Sequence, residues 1–419
     1  MGFNPFSEKG TPLSKQTKTW SDLNVNPYDH YTVEPYTRTR CILMNGIEVE
    51  ASFFYHNFHR HTSNQEIRQE LAQIRRIEQQ EQKMINWLIP SHQSTLELTI
   101  AYEQLAVDLT AAMAKSEPDP YVKAALDFGL LEDFDHLYRY ANLLSLTDEL
   151  KAEAIVKDLT EITPGRPTVL EHVHPIDTVR NHYNREKASA ITKLHVETII
   201  AAEQQTMNFY MTVGNRFENK IGRSLYQEIA QIEEQHVTHY GSLSDPGASW
   251  LEMAVLHEYN ECYMYWSCMQ SETNQSVKGI WEQCLENEIS HLHKVSDLMK
   301  KYENTDPSEK FPSAFPEPLV LSPAKDYVRE IISSQMHFTG DQTRFVPMKQ
   351  AESKERFENY QDQVNMGLYI ASQKVVQNAI DAHGQDYRVE TEGENPVSIA
   401  QRRNKVPNRK SLTEFCLNQ

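Results

Sequence analysis

Two short segments, AAEQQTMNFY (residues 201–210) and QIEEQHVTHY (residues 231–240), lie near the middle of this chain of 419 residues. The first contains Glu203, and thirty positions later the second contains Glu233, followed by His236 in the order Glu-x-x-His. Side chains three positions apart lie on the same face of a helix. Glu233 and His236 can therefore present a carboxylate and an imidazole to one metal ion.

The same pattern recurs further along, in LHEYNEC (residues 256–262) and ENEISHLHKV (residues 286–295). Glu258 precedes Glu288 by the same thirty positions, and His291 completes the second Glu-x-x-His. Apolar side chains recur at helical spacing around each acid, which predicts that the acids face a helical core. Carboxylates that meet in such a core repel each other unless they are protonated or neutralised by cations, so bound metal is the simplest prediction.

A third, degenerate copy precedes the other two. Glu103 is followed after thirty positions by Asp133, and His136 follows three residues later. Two uses stay open for this copy: it covers the bundle as a degenerate repeat, or it forms a second site with Glu78 and Glu81. It also stays open whether the hairpin of the first complete copy pairs with this one, although we expect the two complete copies to pair with each other.

A single Glu-x-x-His is a weak indication, because an acid three residues before a histidine arises by chance. Glu171 and His174, in a proline-rich connection, are expected to be one such chance match. What favours metal binding is the combination of helix placement, an apolar face around each acid and a repeated spacing.

The amino-acid composition and net charge limit the classes of function that are expected. Hydrophobic residues make up 39% and charged residues 24%, as in soluble globular proteins, and the formal net charge is -18. Nucleic-acid and membrane-surface partners need a basic face, so neither is expected. No secretory signal and no apolar run that could cross a membrane are visible, and the five cysteines form no C-x-x-C pair. These features predict a cytoplasmic protein.

The chain is predicted to be all-α and to contain four regions. Residues 1–62 are expected to form an extended arm, in which CILMNGIEVEASFF (residues 41–54) would be a hairpin or an extended strand. Residues 63–160 would form a helical region with the degenerate hairpin, and residues 177–302 a metal-binding four-helix bundle. Residues 303–419 would form an extension of short helices with an extended tail.

The repeated Glu and Glu-x-x-His pattern resembles the ferritin-like superfamily, and rubrerythrin-type bundles in particular, which bind two iron or manganese ions inside four helices. The resemblance covers about residues 177–302. It implies a common set of metal ligands: Glu203, Glu233, His236, Glu258, Glu288 and His291. Glu261 matches a further glutamate that rubrerythrins place three residues after the one on their third helix. Tyr210 matches their tyrosine seven residues after the first glutamate.

The resemblance implies a dinuclear iron, manganese or mixed iron and manganese oxidoreductase that reacts with hydrogen peroxide or dioxygen. Tyr210 would be its catalytic side chain, and the subunits would form a homo-oligomer. The rubredoxin-like iron site of rubrerythrins needs two C-x-x-C pairs, which this chain lacks, so an external electron donor is expected. Two other functions stay open, namely an oxygenase or oxidase of a small organic substrate and a non-catalytic metal-binding or assembly protein.

Overall fold

The computed structural model of the chain describes residues 2–157, 159–160, 162, 164–366 and 369–384. These residues form thirteen α-helices and one antiparallel pair of short strands, which confirms the predicted all-α class. In chain order the elements are α1 (Leu13–Gln16), α2 (Pro35–His61), α3 (Gln65–Asn86), α4 (Thr95–Ser116), α5 (Pro120–Thr147), α6 (Glu153–Val156), α7 (Ala190–Val213), α8 (Lys220–Gly241), α9 (Trp250–Ser271), α10 (Gln275–Glu303), α11 (Lys325–Gln335), β1 (Phe338–Asp341), β2 (Arg344–Pro347), α12 (Lys354–Val364) and α13 (Ala371–His383).

The chain divides into two compact units, each assembled from three separate stretches. The first unit consists of Met1–Gln93, Tyr183–Gln205 and Ser244–Leu321, and the second of Ser94–His182, Thr206–Leu243 and Ser322–Gln419. The expected bundle of residues 177–302 is therefore shared between the units. Spacing along the chain determines which two helices form a hairpin, but it does not determine which hairpins pack together, and consecutive elements are neighbours in only about two-thirds of cases.

Four long helices build the first unit. α2 packs against α3 and α9, and α10 packs against α9 and α3, so each helix contacts two of the others. Polar side chains start these helices, because Asn64, Ser249 and Asn274 each accept hydrogen bonds from backbone N–H groups of the first turn. The first unit thus joins the hairpin at the beginning of the chain to the hairpin that contains the second Glu-x-x-His.

The predicted extended arm is wrong, since residues 41–54 lie inside α2. Pro35 occupies the first turn of α2, and the side chain of Glu34 accepts a hydrogen bond from the backbone N–H of Thr37. Residues 35–48 are buried without interruption. Because polar residues such as Arg38, Arg40 and Glu48 are buried here together with apolar ones, the one-sided apolar period that would identify a helix is absent from this stretch.

The second unit is built around α4 and α5, which pack along each other. Ser94 and Glu97 form a reciprocal capping box at the start of α4, and Asp119 caps α5. α5 contacts α8, and α13 packs against both, with Val375 and Val376 in the shared apolar core. Apolar side chains of α11 and α13 are therefore part of this unit's core, where the sequence predicted an extension. The predicted extended tail lies outside the described residues.

No described helix combines the length and the apolar character that a membrane span requires.

Two glycine substitutions test the packing. A Cβ atom at Gly165 would lie 2.3 Å from the backbone carbonyl oxygen of Leu131, which cannot move aside without displacing α5. We expect Gly165→Ala to destabilise the protein by about 1–3 kcal/mol. Gly279 on the exposed side of α10 has nothing within 4 Å of such an atom, so Gly279→Ala should stabilise it by about 0.5–1 kcal/mol. Chemical denaturation measures both, and equal effects of the two substitutions would contradict the packing described.

Candidate metal centres

The first unit encloses a cluster of acids contributed by four helices. α2, α3, α9 and α10 turn completely buried side chains towards one another, and we call this set the first-unit cluster: Glu48, Glu78, Glu81, Glu258, Glu261, Glu288 and His291. In the described part of the chain, no lysine or arginine side chain forms an ion pair with any of these six glutamates. The cluster therefore gathers six acids around a single imidazole.

The ligand atoms of the first-unit cluster fall into two overlapping groups. Atoms of Glu78, Glu81, Glu288 and His291 lie within 4.8 Å of one another, and so do atoms of Glu78, Glu258, Glu261 and Glu288. Glu78 and Glu288 belong to both groups. The set would have enough donors for two ions, with Glu78 and Glu288 available to both.

Hydrogen bonding fixes the tautomer of His291. The side-chain amide nitrogen of Gln16 donates to the backbone carbonyl oxygens of Thr11 and Asn287, so its oxygen is the atom that faces His291 Nε2, at 2.8 Å. His291 Nε2 must therefore carry a hydrogen. Nδ1 lies 2.8 Å from Glu78 Oε1 and 2.9 Å from Glu288 Oε2, and it can offer its lone pair to an ion placed among the carboxylates.

Burial raises the pKa of most of these acids, which favours their protonated form when no cation is present. Burial, followed by the charges of neighbouring carboxylates, raises the pKa of Glu48, Glu261 and Glu288 well above the ordinary value. Burial also raises the pKa of Glu258 to about 7. The pKa of His291 rises to about 9, because the surrounding acids outweigh burial, which lowers it.

Several buried carboxylate oxygens of the cluster have no hydrogen-bond partner in the described part of the protein. Such atoms are Glu48 Oε2, Glu78 Oε2 and Glu261 Oε2. Unpaired buried acceptors are costly and rare in folded proteins. Hard cations bind carboxylate oxygens, so the donor set fits iron or manganese.

Two tyrosine hydroxyls link α2 and α9 by hydrogen bonds to glutamates of the first-unit cluster, one in each direction. The hydroxyl of Tyr55 on α2 donates to Glu258 on α9, and the hydroxyl of Tyr265 on α9 donates to Glu48 on α2. Each tyrosine follows the glutamate of its own helix by seven residues. These bonds orient one oxygen of each glutamate and leave the other directed towards the cluster.

The second unit contains a related group of buried side chains, the second-unit cluster: Glu103, Asp133, His136, Glu233 and His236. Ligand atoms of Glu103, His136 and Glu233 lie within 4.8 Å of one another. Glu233 Oε1 lies 3.0 Å from His136 Nδ1, and Glu233 Oε2 lies 3.2 Å from His236 Nδ1. The carboxylate of Glu233 therefore spans the two imidazoles. Asp133 Oδ1 is 3.4 Å from His236 Nδ1.

Carboxylates outside the second-unit cluster form hydrogen bonds with both of its imidazoles. Glu171 Oε2 lies 3.0 Å from His136 Nε2, and Glu132 Oε2 lies 2.8 Å from His236 Nε2. Arg166 donates to Glu132 in turn. Because each Nε2 donates to a carboxylate, both rings present Nδ1 to the cluster, as in His291. Such outer hydrogen bonds are typical of metal-binding histidines.

In the second-unit cluster the pKa shifts of the acids differ in direction. Burial raises the pKa of Glu103 well above its ordinary value and that of Asp133 to about 6. Burial would also raise the pKa of Glu233, but hydrogen bonds from His136 and His236 reverse the effect and hold it low. Burial opposes the charged form of His136, yet Glu171 and Glu233 hold its pKa well above the ordinary value. Without a cation, Glu233 takes its neutralising charge from imidazolium.

Tyr210, the predicted catalytic tyrosine, lies beside the second-unit cluster. Its hydroxyl donates to Glu103, and burial followed by the charge of Glu103 raises its pKa well above the ordinary value. A small cavity lies on the other side, next to His236 and Glu132, with Phe128 and Arg180 also in its wall. Its volume of about 10 Å³ is close to the space of one water molecule.

The structure divides the seven predicted ligands. Glu258, Glu261, Glu288 and His291 lie together in the first-unit cluster, whereas Glu233 and His236 belong to the second unit. Glu203 is buried on α7, two residues before the first unit's limit at Gln205.

Sequence reasoning missed several residues of the two clusters. Glu48 lies in the segment that was predicted to be an extended arm, so it was not recognised as a candidate ligand. It nevertheless precedes Glu78 by thirty residues, the same spacing that separates the two acids of the other copies. Glu171 was interpreted as a chance match, yet it holds His136. Glu132 and Gln16 follow no pattern that points to the neighbouring histidine, because their contacts arise only in the folded chain.

Comparison of the chain with protein-family models, with curated proteins and with solved structures gives no match. Function must therefore be inferred from the clusters themselves.

The metal-free protein should lose stability as the pH rises from about 5 to about 8. Glu258 and Asp133 have raised pKa values in the folded chain, about 7 and about 6, so their stabilising contribution is complete below the unfolded value of about 4 and is lost as the pH rises through the folded value. His291 acts in the same direction up to about pH 9. Each group contributes a slope of at most about 1.4 kcal/mol per pH unit.

Thermal unfolding after chelator treatment, repeated at four pH values, checks this expectation. Glu233 has a lowered pKa, so its contribution is lost only in acid, below the range measured. A metal-free melting temperature that rises towards pH 8 would contradict it.

Proposed function

We propose that this chain is a dinuclear-metal oxidoreductase of the ferritin-like kind, with an iron or manganese centre in each unit, which reacts with hydrogen peroxide or dioxygen. The observation that carries the proposal is the orientation of three histidines. His136, His236 and His291 each direct Nδ1 at buried carboxylates, while Nε2 is held by an acceptor outside the cluster. Metal-binding imidazoles usually carry such an outer hydrogen bond, which fixes the ring orientation and the nitrogen that faces the ion.

In the first unit, Glu78 and Glu288 would bridge two ions, since both belong to each ligand group. His291 and Glu81 would complete one position, and Glu258 and Glu261 the other. Iron or manganese pairs that share carboxylates supply electrons to peroxide or dioxygen, one from each ion. In the second unit, Glu233 would bridge, and His136 and His236 would each bind through Nδ1.

The protein's own groups would control access and orientation. The tyrosine hydroxyls of Tyr55 and Tyr265 hold one oxygen of their glutamates, which limits the positions that the free oxygen can take. Tyr210 holds Glu103 in the same way, which supports the predicted role of this tyrosine at the centre. The small cavity beside His236 has room for a molecule of about the size of water. The external electron donor and the homo-oligomer belong to this proposal through the resemblance.

Elemental analysis of the purified protein should find about four metal ions per chain, two in each unit. The double variant Glu288→Ala/His291→Ala should retain about two, because it removes ligands of the first unit alone. His136→Ala/His236→Ala should also retain about two, in the other unit. Loss of all metal in either variant would contradict two separate centres, and a metal-free wild type that stays folded would overturn metal binding.

The metal-loaded protein should consume hydrogen peroxide in the presence of a reductant, or take up dioxygen when its reduced form meets air. Peroxide loss and oxygen uptake are measured directly in the wild type and in the two double variants, each with its metal content known. Since each variant lacks one centre, their rates separate the contributions of the two units. Full metal loading with neither reaction would leave a metal-binding protein without oxidoreductase activity.

A further inference from the structure

A second, smaller group of titratable side chains lies beside the first-unit cluster. His257 on α9 places Nδ1 3.1 Å from Glu50 Oε2 and Nε2 3.5 Å from Glu261 Oε1. Burial raises the pKa of Glu50 to about 7, and the nearby carboxylate of Glu197 on α7 acts in the same direction. The imidazole of His257 thus stands between a glutamate of the cluster and a pair of glutamates outside it.

The solvent exposure of the side chains decreases from Glu50 through His257 to Glu261. The side chain of Glu50 is 20% exposed, that of His257 is 5% exposed, and that of Glu261 is completely buried. Phe54 stacks on the His257 ring at a centroid distance of 5.3 Å, and Tyr55 meets it edge-on. The aromatic rings hold His257 in place, so its two nitrogens face opposite ends of the row.

One nitrogen of this row has no hydrogen-bond partner within the described part of the protein. His257 Nε2 is buried without a hydrogen-bond partner and faces the cluster glutamate. In the described part of the chain, no lysine or arginine forms an ion pair with Glu50 or Glu197. Two carboxylates and an imidazole at the edge of a buried acidic cluster form a donor set that divalent cations bind.

We propose that Glu50, Glu197 and His257 form a transfer site through which divalent cations pass from solvent to the first-unit cluster. The proposal rests on the metal centre inferred above. A cation would first meet Glu50 and Glu197 at the outer end and would then pass along the edge of the His257 ring to Nε2 and Glu261. Carboxylates at the outer end raise the local concentration of cations, which speeds their uptake without changing the final amount bound.

Uptake kinetics test this role. Metal-free protein in the His136→Ala/His236→Ala background is mixed with Mn²⁺, and the loss of free Mn²⁺ is followed by electron paramagnetic resonance. Adding Glu50→Gln/Glu197→Gln should slow uptake by at least about tenfold and leave the final metal content unchanged. Glu70→Gln is the matched control, because Glu70 is a glutamate of the same unit with 23% exposure that pairs with Lys294. It should load at the rate of the background.

Each outcome is decisive. Uptake in Glu50→Gln/Glu197→Gln at the rate of the control would overturn the transfer site, and so would a lower final metal content, since that would make these glutamates ligands of the centre. His257→Gln gives a second test and should also slow uptake without changing the final metal content. Circular dichroism identifies a variant that fails to fold. No uptake by the background protein itself would instead refute the first-unit metal centre.

Discussion

The constraint on which this structure depends is the burial of six glutamates that have no lysine or arginine partner in the described residues. Elsewhere the chain neutralises its buried acids with arginine: Arg40 pairs with Glu272 at 2.9 Å, and Arg139 pairs with Asp135 at 2.8 Å. The six glutamates of the first-unit cluster have no such partner in the described residues, although they are as deeply buried. Isolated buried charge is strongly unfavourable, so these acids either retain protons or surround cations. The absence of arginine from the first-unit cluster therefore favours bound cations as the source of neutralising charge.

The two clusters share a plan and differ in their donors. In the first, Glu81 occupies the position three residues after Glu78, where other copies of the pattern have histidine, so oxygen donors dominate around the single imidazole of His291. In the second, Glu233 lies between two imidazoles whose outer nitrogens are held by Glu171 and Glu132. Oxygen donors favour hard cations, whereas imidazole suits the later transition metals as well. The units are therefore expected to hold their metals with different affinity and reduction potential.

Part of this arrangement could be predicted from sequence, because part of it is local. The thirty-residue spacing and the Glu-x-x-His pairs follow from helix geometry, and they identified Glu233, His236, Glu288 and His291 as inward-facing residues, which are all buried. The pairing of hairpins could not be predicted, since it depends on contacts between distant parts of the chain. The α2 helix was missed because its uniform burial removes the period that marks a helix. Glu171 and Gln16 hold their histidines through long-range contacts, for which no short motif exists.

The central claim is that the buried acids of both units surround metal ions, and anomalous X-ray scattering from crystals of the metal-loaded protein tests it most directly. Data collected on either side of the iron and manganese absorption edges locate these elements without reference to an assumed site. The account predicts two peaks within the first-unit cluster, one of them beside His291 Nδ1, and peaks in the second unit beside Nδ1 of His136 and His236. Ordered water in place of these peaks, with the carboxyl groups hydrogen-bonded to it in fully loaded crystals, would contradict the account.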